Sequence, residues 1–215
     1  MHKATLFVNN YPRGALPKAL VSYFNLDFEV RDATASPEFA KEFPLKKIPA
    51  VVFPDGSHLT EIIAIVQYLV ESTENENIKK DLLGTNALER AQVVRWMSLA
   101  NSDFMMPLTE AFLETIDQLP YHGDLVKIQL ESVDKAAKVF EDRLNAHEFL
   151  VADRLTLADL MVASLYVFGF STLLGKTWRS QHPGIMKWFD KVSKSPICRD
   201  ILKKDRFVEE PAKHR

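Results

Sequence analysis

The segment FPLKKIPAVVFPDGSHLTEIIAIVQYL, residues 43–69, contains the elements that decide the fold. Pro49 precedes an apolar, strand-like run at residues 50–53, and the turn tripeptide Pro-Asp-Gly follows that run. A second short strand and a helix that begins near Glu61 complete the segment. We therefore predict the order strand, turn, strand, helix. Because proline has no N–H to donate to a sheet, we expect a fixed bend at Pro49, which a cis bond after Ile48 would produce.

This bend and the helix start together form a candidate peptide-binding site. A bend at Pro49 leaves the backbone of the preceding residue able to bond a ligand. Thr60 and Glu61 stand where exposed N–H groups and the helix dipole favour a bound carboxylate. An ordinary hairpin that leads into a helix explains the same pattern equally well. The residues alone leave both interpretations open.

The part of the chain before residue 43 supplies two more strands and two more helices. Strands are predicted at residues 5–8 and 28–31, and helices at residues 16–24 and from residue 36 onward. Pro17 falls in the first turn of the first helix, where N–H groups have no partner. Ser36, Pro37 and Glu38 are a typical helix start. The resulting β-α-β-α-β-β-α order is typical of a thioredoxin-like α/β domain.

Helical periodicity replaces the strand pattern in the second half of the chain. Apolar residues recur there every three or four positions, at Val93, Trp96, Ala100, Phe104 and Leu108. We predict a long helix from Leu88 that kinks or ends near Pro107. Further amphipathic helices are predicted at residues 124–144, 156–170 and 183–193. The second domain is therefore predicted to be all helical.

Composition marks the boundary between the two domains. Residues 71–80 are mostly Glu, Asn, Ser, Thr and Lys, with almost no apolar residue. We predict an α/β domain at residues 1–73, a linker at 74–85 and a helical domain at 86–215. The fold class is thus α/β followed by all-α.

Within the helical domain, Thr156-Leu157-Ala158-Asp159 is predicted to be a capping box that stabilises a helix start, with Leu155 as a hydrophobic staple. Seven aromatic residues fall at positions typical of a helical core: Trp96, Tyr166, Phe168, Phe170, Trp178, Trp188 and Phe189. Four further residues fit either the core or an apolar pocket for a second substrate: Phe104, Met105, Met106 and Phe112.

The overall composition excludes several classes of function. The 215 residues are 47% hydrophobic and 26% charged, with a net charge of −2 and a pI near 6.3. There is no basic excess for nucleic acid or anionic membrane, and no apolar run reaches the roughly 18 residues of a membrane span. The single cysteine, Cys198, fits a reducing compartment, so we predict a cytoplasmic protein. The six histidines have no metal-ligand spacing, and no metal is predicted.

Residues 46–69 resemble the glutathione-binding half of the glutathione transferase superfamily. In that family a cis-proline and an acidic-serine pair at a helix start hold the tripeptide, and Ile48-Pro49, Glu61, Ala64 and Ile65 match the pattern. Ile62 stands where the family has the serine that binds the γ-glutamyl carboxylate, and isoleucine makes no hydrogen bond. The resemblance implies a thioredoxin-like, glutathione-binding N-terminal domain and an all-helical C-terminal domain.

Three segments narrow this resemblance: FPLKKIPA, RWMSLANSDF and TWRSQHPGIMKWF, at residues 43–50, 95–104 and 177–189. They are similar to the N-terminal transferase-like domain of the fungal translation elongation factor 1 gamma subunit. That family carries a lysine-rich linker and a further domain, which the chain lacks; we expect either a truncated subunit or a free-standing relative. The resemblance implies a homodimer that scaffolds the elongation exchange complex, with the exchange subunit as partner. The alternatives are a free-standing transferase that conjugates glutathione to small electrophiles, and a regulatory relative that keeps only the fold.

The resemblance also implies a set of catalytic candidates. Transferases of this fold activate the glutathione thiol from the loop after the first strand, where Asn9, Asn10, Tyr11 and Arg13 lie. Of these, Asn9, Tyr11 and Arg13 are the predicted catalytic residues. The alternatives are turn formation by the asparagines, a half-buried loop position for the tyrosine, and a solvated or interdomain ion pair for the arginine.

The implied substrate-binding residues are Lys47, Ile48, Pro49, Thr60, Glu61 and Asp103. Lys46 and Lys47 are candidates for the glycine carboxylate of glutathione, although lysines beside a strand are commonly solvated. Glu61 would accept the γ-glutamyl ammonium, and the Thr60 hydroxyl would partly replace the missing serine. Asp103 would reach the same ammonium across a dimer interface, or is an ordinary surface acid.

Overall fold

The N-terminal part of the chain is built on one four-stranded sheet. The computed structural model describes residues 3–9 and 12–214. Its strands are β1 (Ala4–Val8), β2 (Phe28–Asp32), β3 (Ala50–Val52) and β4 (His58–Thr60), in the spatial order β2-β1-β3-β4. β1 pairs parallel with β2 and antiparallel with β3, which pairs antiparallel with β4. The central strand β1 is buried along its whole length because the sheet is covered on both faces.

Helices α1 (Pro12–Tyr23), α2 (Pro37–Glu42) and α3 (Ile62–Glu71) complete this domain, with a 3₁₀ turn at Ala33–Ala35. The predicted β-α-β-α-β-β-α order is confirmed. The predicted start of the first helix at residue 16 is wrong: α1 begins at Pro12, whose fixed φ suits a first helical position. Pro17 consequently lies inside the helix and is buried.

The segment at residues 43–69 folds as predicted. The Ile48–Pro49 bond is cis. In the turn between β3 and β4, Gly56 has a φ of +83°, a conformation that glycine adopts without steric cost. The Asp55 carboxylate accepts hydrogen bonds from the Ser57 N–H at 2.9 Å and from its hydroxyl at 2.6 Å. This turn places the end of β4 at the start of α3.

The rest of the described chain contains helices and no strand. They are α4 (Glu76–Leu83), α5 (Ala87–Leu99), α6 (Met105–Thr115), α7 (Gly123–Ala146), α8 (Leu157–Phe170), α9 (Lys176–Ser180) and α10 (Pro183–Val192). The predicted linker at 74–85 thus contains a helix, α4, which the Asn75 side chain caps and which packs Leu82 and Leu83 into the core. The domain boundaries themselves stay a prediction.

The long helix predicted from Leu88 is interrupted, as expected, near Pro107. Between α5 and α6 the chain forms a π-helical turn at Ala100–Phe104, in which the Met105 N–H bonds the Ala100 carbonyl five residues earlier. A proline ring crowds the carbonyl four residues before it, here that of Asp103, and cannot donate to it. The irregularity therefore lies one turn before Pro107, and the helix continues through the proline.

Helix α8 begins with the predicted capping box and forms the centre of the helical core. The fully buried Asp159 carboxylate accepts from the N–H and hydroxyl of Thr156, the Leu150 N–H and the Trp188 indole, at 2.8–2.9 Å. Burial raises the pKa of Asp159, although these donors oppose the rise.

Of the seven predicted core aromatics, Phe168 and Trp178 are only half-buried and the other five are buried. Burial also raises the pKa of the Cys198 thiol to about 12.

The start of α5 supplies a pH-dependent contribution to stability. Glu89 accepts from Arg154 and from the N–H and hydroxyl of Thr85, and these bonds, the Arg154 bond foremost, lower its pKa from 4.5 to about 2. A carboxylate with a depressed folded-state pKa stabilises the fold above its unfolded pKa and loses that contribution as the pH falls toward the folded value.

We therefore expect the Glu89→Gln variant to be less stable than the parent protein at pH 7. The difference should shrink as the pH falls from 4.5 toward 2, the range of the shift. Urea unfolding across this pH range measures it, with the exposed Glu131→Gln as the matched control. A stability difference that does not change with pH would contradict the assignment.

Candidate functional site

A cleft of about 390 Å³ lies between the sheet domain and the helical domain. One wall comes from the start of α1, the bend before β3 and the start of α3: Pro12, Arg13, Lys46, Lys47, Ile48, Pro49, Thr60, Glu61 and Ile62. The other wall comes from the π-helical turn, α6, the turn after it and α8: Asn101, Met105, Met106, Thr109, Phe112, Leu113, Ile116, Gln118 and Phe168. A concave, largely apolar site with a few convergent polar groups is the usual form of a small-molecule site.

Most of the predicted site residues line this cleft. Six of the nine do so: Arg13, Lys47, Ile48, Pro49, Thr60 and Glu61. Asn9 follows β1 directly but is not part of the lining. Asp103 is exposed on the π-helical turn, accepts a hydrogen bond from the Ser102 hydroxyl and also lies outside the lining. Tyr11 lies outside the described residues. The roles of all nine residues stay predictions.

Two residues of the sheet-domain wall have strained backbones. Glu61, immediately before α3, has a φ of +69°, and Lys46 has a φ of +50°. Non-glycine residues pay about 1 kcal/mol or more for this left-handed conformation, and such strain concentrates at ligand sites. The Glu61 side chain is exposed and makes no capping bond to its own helix. Its carboxylate is therefore not committed to holding the helix start.

Ile62 occupies the first position of α3 and cannot supply a hydroxyl. It is 3% exposed and belongs to the hydrophobic core of the domain. The cleft at this point offers the backbone N–H groups of the helix start and the nearby Thr60 side chain. Any carboxylate bound here would have to rely on those groups.

Arg13 joins the two walls of the cleft. Its Nε donates to Asn101 Oδ1 at 2.9 Å, and its Nη2 lies 3.4 Å from the Asn101 carbonyl oxygen and 3.7 Å from Met106 Sδ. Burial lowers the pKa of Arg13, and the nearby charge of Glu61 opposes the shift. Arg13 thus contacts the helical domain through an amide, and in the described part of the chain it forms no ion pair of the kind given as its alternative. Asn101 is not recognisable from the sequence, since nothing in it signals a π-helical turn.

The charges and the apolar wall divide the cleft into two parts. Arg13, Lys46 and Lys47 are cationic and Glu61 is anionic, so this part can hold a small zwitterion with carboxylates and an ammonium. The opposite wall is apolar, and of the four residues left open between core and pocket, Met105, Met106 and Phe112 line it. Phe104 is fully buried instead, with its ring centroid 4.3 Å from that of Tyr166.

Residues 3–9 and 12–214 contain neither of two other kinds of site. No group of three or more His, Cys, Asp or Glu side chains is arranged to hold a metal ion in this part of the chain. None of its helices combines the length and apolar composition that crossing a bilayer requires.

Comparison with known proteins identifies the family. The glutathione S-transferase N-terminal domain model matches residues 3–71, and the C-terminal domain model matches residues 97–196. Elongation factor 1-gamma 2 of Saccharomyces cerevisiae is 39% identical over 97% of this chain and 51% of its own length, so the chain spans about half of that protein. The glutathione S-transferase psoE of Aspergillus fumigatus is 31% identical over 90% of this chain and 80% of its own.

A solved structure covers the same extent as this chain. The GST-like domain of elongation factor 1-gamma from Saccharomyces cerevisiae superposes with a TM-score of 0.89 at 38% identity, over 100% of both chains. The fold predicted from the sequence, a thioredoxin-like domain followed by an all-helical domain, is confirmed. The chain belongs to the glutathione S-transferase family, and within that family its similarity is to the GST-like domain of elongation factor 1-gamma.

Proposed function

We propose that this chain is a transferase-like module of the elongation factor 1-gamma type, which scaffolds the exchange complex of translation elongation in the cytoplasm. The observation that carries the proposal is the similarity to the yeast GST-like domain over the full length of both chains. Ile62 supports it, because a scaffold can dispense with the hydroxyl that a transferase uses to hold its tripeptide. The partner is the guanine-nucleotide exchange subunit of elongation factor 1.

Affinity capture tests the scaffold function. The tagged chain is expressed in its own cells, and the captured proteins are identified and quantified by mass spectrometry. We expect the exchange subunit of elongation factor 1 in amounts comparable to the bait. A transferase of the same fold from outside the gamma group is the control. Capture of the exchange subunit at only the level of the control would contradict the proposal.

We further propose that the polar part of the cleft binds glutathione. Glu61 accepts the γ-glutamyl ammonium, Thr60 and the start of α3 meet its carboxylate, and Lys47 meets the glycine carboxylate. The backbone of Ile48, next to Pro49, pairs with the peptide. These residues line one wall, and the strained backbone at Glu61 supports a ligand-binding role.

We expect glutathione to bind with millimolar affinity or better, about −4 kcal/mol or stronger. The Glu61→Ala variant should bind at least about tenfold more weakly, because it loses a hydrogen bond between two charged groups. Isothermal titration calorimetry measures both, with Glu71→Ala at the far, exposed end of α3 as the control. No detectable heat with the parent protein, or equal affinities in the two variants, would overturn the glutathione site.

A free-standing glutathione transferase is the second candidate function. The apolar wall formed by Met105, Met106 and Phe112 favours it, since it faces the polar part of the cleft and suits a small electrophile. In this function Arg13, with Asn9 or Tyr11, stabilises the thiolate. Turnover of glutathione with 1-chloro-2,4-dinitrobenzene above the uncatalysed rate would establish the enzyme, and no acceleration would exclude it for this electrophile.

A homodimer completes the proposal. Asp103 is exposed and lies outside the cleft of its own chain, so it can act on a bound ammonium only from a partner subunit. Light scattering of the purified protein gives the oligomeric state. A monomer at micromolar concentration would remove Asp103 from the site.

A further inference from the structure

We propose that Asn101 is a positioning residue that holds the Arg13 guanidinium in the cleft for an anionic group of the ligand. The inference rests on the proposed glutathione site and concerns a residue of the opposite domain. Arg13 Nε donates a hydrogen bond to Asn101 Oδ1 at 2.9 Å, although the two residues are 88 positions apart in the chain.

The π-helical turn makes Asn101 available for this contact. In a regular α-helix the Met105 N–H would bond the Asn101 carbonyl, but here it bonds the Ala100 carbonyl. The Met105 N–H therefore does not occupy the Asn101 carbonyl, which Arg13 Nη2 approaches at 3.4 Å. Both acceptor groups of Asn101 therefore serve the same guanidinium.

The tether leaves Arg13 with capacity for a ligand. A guanidinium has five N–H donors; the two Asn101 acceptors and the Met106 sulfur contact the three on Nε and Nη2, which leaves the two N–H groups of Nη1 for a ligand. In the described part of the chain no carboxylate forms an ion pair with Arg13, and its charge is desolvated within the cleft. The Glu61 charge lies nearby without forming an ion pair with Arg13, and a half-buried cation held by a neutral amide is suited to bind an anion.

The anionic group is either the thiolate of glutathione or one of its carboxylates. For the thiolate, the thiol gives its proton to water and the positive charge of Arg13 stabilises the sulfur anion that remains. For a carboxylate, Arg13 contributes to affinity alone. The two sources share the same chemistry and differ in their dependence on pH.

The first readout needs no ligand. Phenylglyoxal modifies arginine side chains, and peptide mass spectrometry follows its rate at Arg13. We expect modification of Arg13 to be about tenfold faster in Asn101→Ala than in the parent, because a hydrogen bond to a charged group is lost. Asn101→Asp keeps the acceptor and should restore the slow rate. Ser102→Ala, on the same π-helical turn, is the control, since the Ser102 hydroxyl bonds Ser98 and Asp103.

The second readout uses glutathione. If the anion is the thiolate, the apparent pKa of the bound thiol, followed by thiolate absorbance, should be higher in Asn101→Ala than in the parent. If it is a carboxylate, affinity should fall about tenfold at an unchanged thiol pKa. Asn101→Asp should also weaken the anion site, since its carboxylate neutralises Arg13. This variant should therefore restore the slow modification rate of Arg13 and still bind the anion weakly, a combination that a purely structural role for Asn101 would not produce.

The outcomes separate the two proposals. An unchanged Arg13 modification rate in Asn101→Ala overturns the positioning role, whether or not glutathione binds. A faster rate together with no glutathione binding by the parent protein supports the tether but overturns the glutathione site. A faster rate with normal glutathione affinity and thiol pKa in Asn101→Ala shows that the tether does not serve the ligand, and overturns the inference.

Discussion

The Asp159→Ala variant is expected to lose about 3–5 kcal/mol of unfolding free energy, a large fraction of the stability of a typical domain. The Asp159 carboxylate is fully buried and receives four hydrogen bonds. Truncation would leave the buried N–H groups of Leu150 and Thr156 and the Trp188 indole without their acceptor. For a chain of this length the loss corresponds to a decrease in melting temperature of roughly 10 °C.

Thermal unfolding followed by circular dichroism measures this loss. Asp153→Ala is the matched control, because Asp153 is an exposed acid in the loop before α8. Asp159→Asn should fall between the two, since one amide oxygen can replace only part of the acceptor capacity. If Asp159→Ala and Asp153→Ala melt at the same temperature, Asp159 does not anchor the start of α8.

The Glu141→Ala variant is expected to lose about 2–4 kcal/mol by the same mechanism at another helix. Glu141 lies on α7, is 9% exposed and accepts the N–H groups of Gly184 and Ile185 at 2.8 Å each. Glu141 therefore supplies, from a neighbouring helix, the hydrogen-bond acceptors for the free N–H groups in the first turn of α10. The dipole of α10 also favours a negative charge at this end. The close approach needs a glycine: a Cβ at Gly184 would lie 2.7 Å from Asn145 Oδ1 and 3.0 Å from Glu141 Oε1.

The adjacent acid provides the control for Glu141. Asp142 is exposed and pairs with Lys138 on the surface of α7, so Asp142→Ala should cost less than about 1 kcal/mol. Urea unfolding of the two variants gives both free energies. Equal losses would show that the Glu141 cap contributes no more than a surface ion pair.

Local signals in the sequence are sufficient to predict most of the fold. Pro49, the Pro-Asp-Gly turn and the Ser36 and Thr156 caps are each decided by residues within a few positions of one another, and all lie where predicted. Reliance on local signals also explains the two errors, which are the start of α1 and the helix within the predicted linker. The turn-forming residues before Pro12 favour a loop at that position, and the three apolar positions of α4 are hidden in a polar stretch.

The candidate site could be predicted only on the sheet-domain side. Lys47, Pro49 and Glu61 are close in the sequence, so one motif identifies them together. The opposite wall depends on how the helical domain packs against the sheet domain. Contacts such as Arg13 with Asn101, or Asp159 with Trp188, join residues 88 and 29 positions apart. No periodicity or spacing in the sequence encodes them.

The central claim, that this chain is a scaffold of the elongation factor 1-gamma type, is tested most directly by mixing it with purified exchange subunit of elongation factor 1. Size-exclusion chromatography with light scattering gives the mass of any complex, and calorimetry gives its affinity. We predict a stoichiometric complex with a dissociation constant of about 1 μM or lower, about −8 kcal/mol or stronger. Two separate peaks with no heat of mixing would contradict the claim. If the same protein also conjugates glutathione to an electrophile, the transferase is established instead.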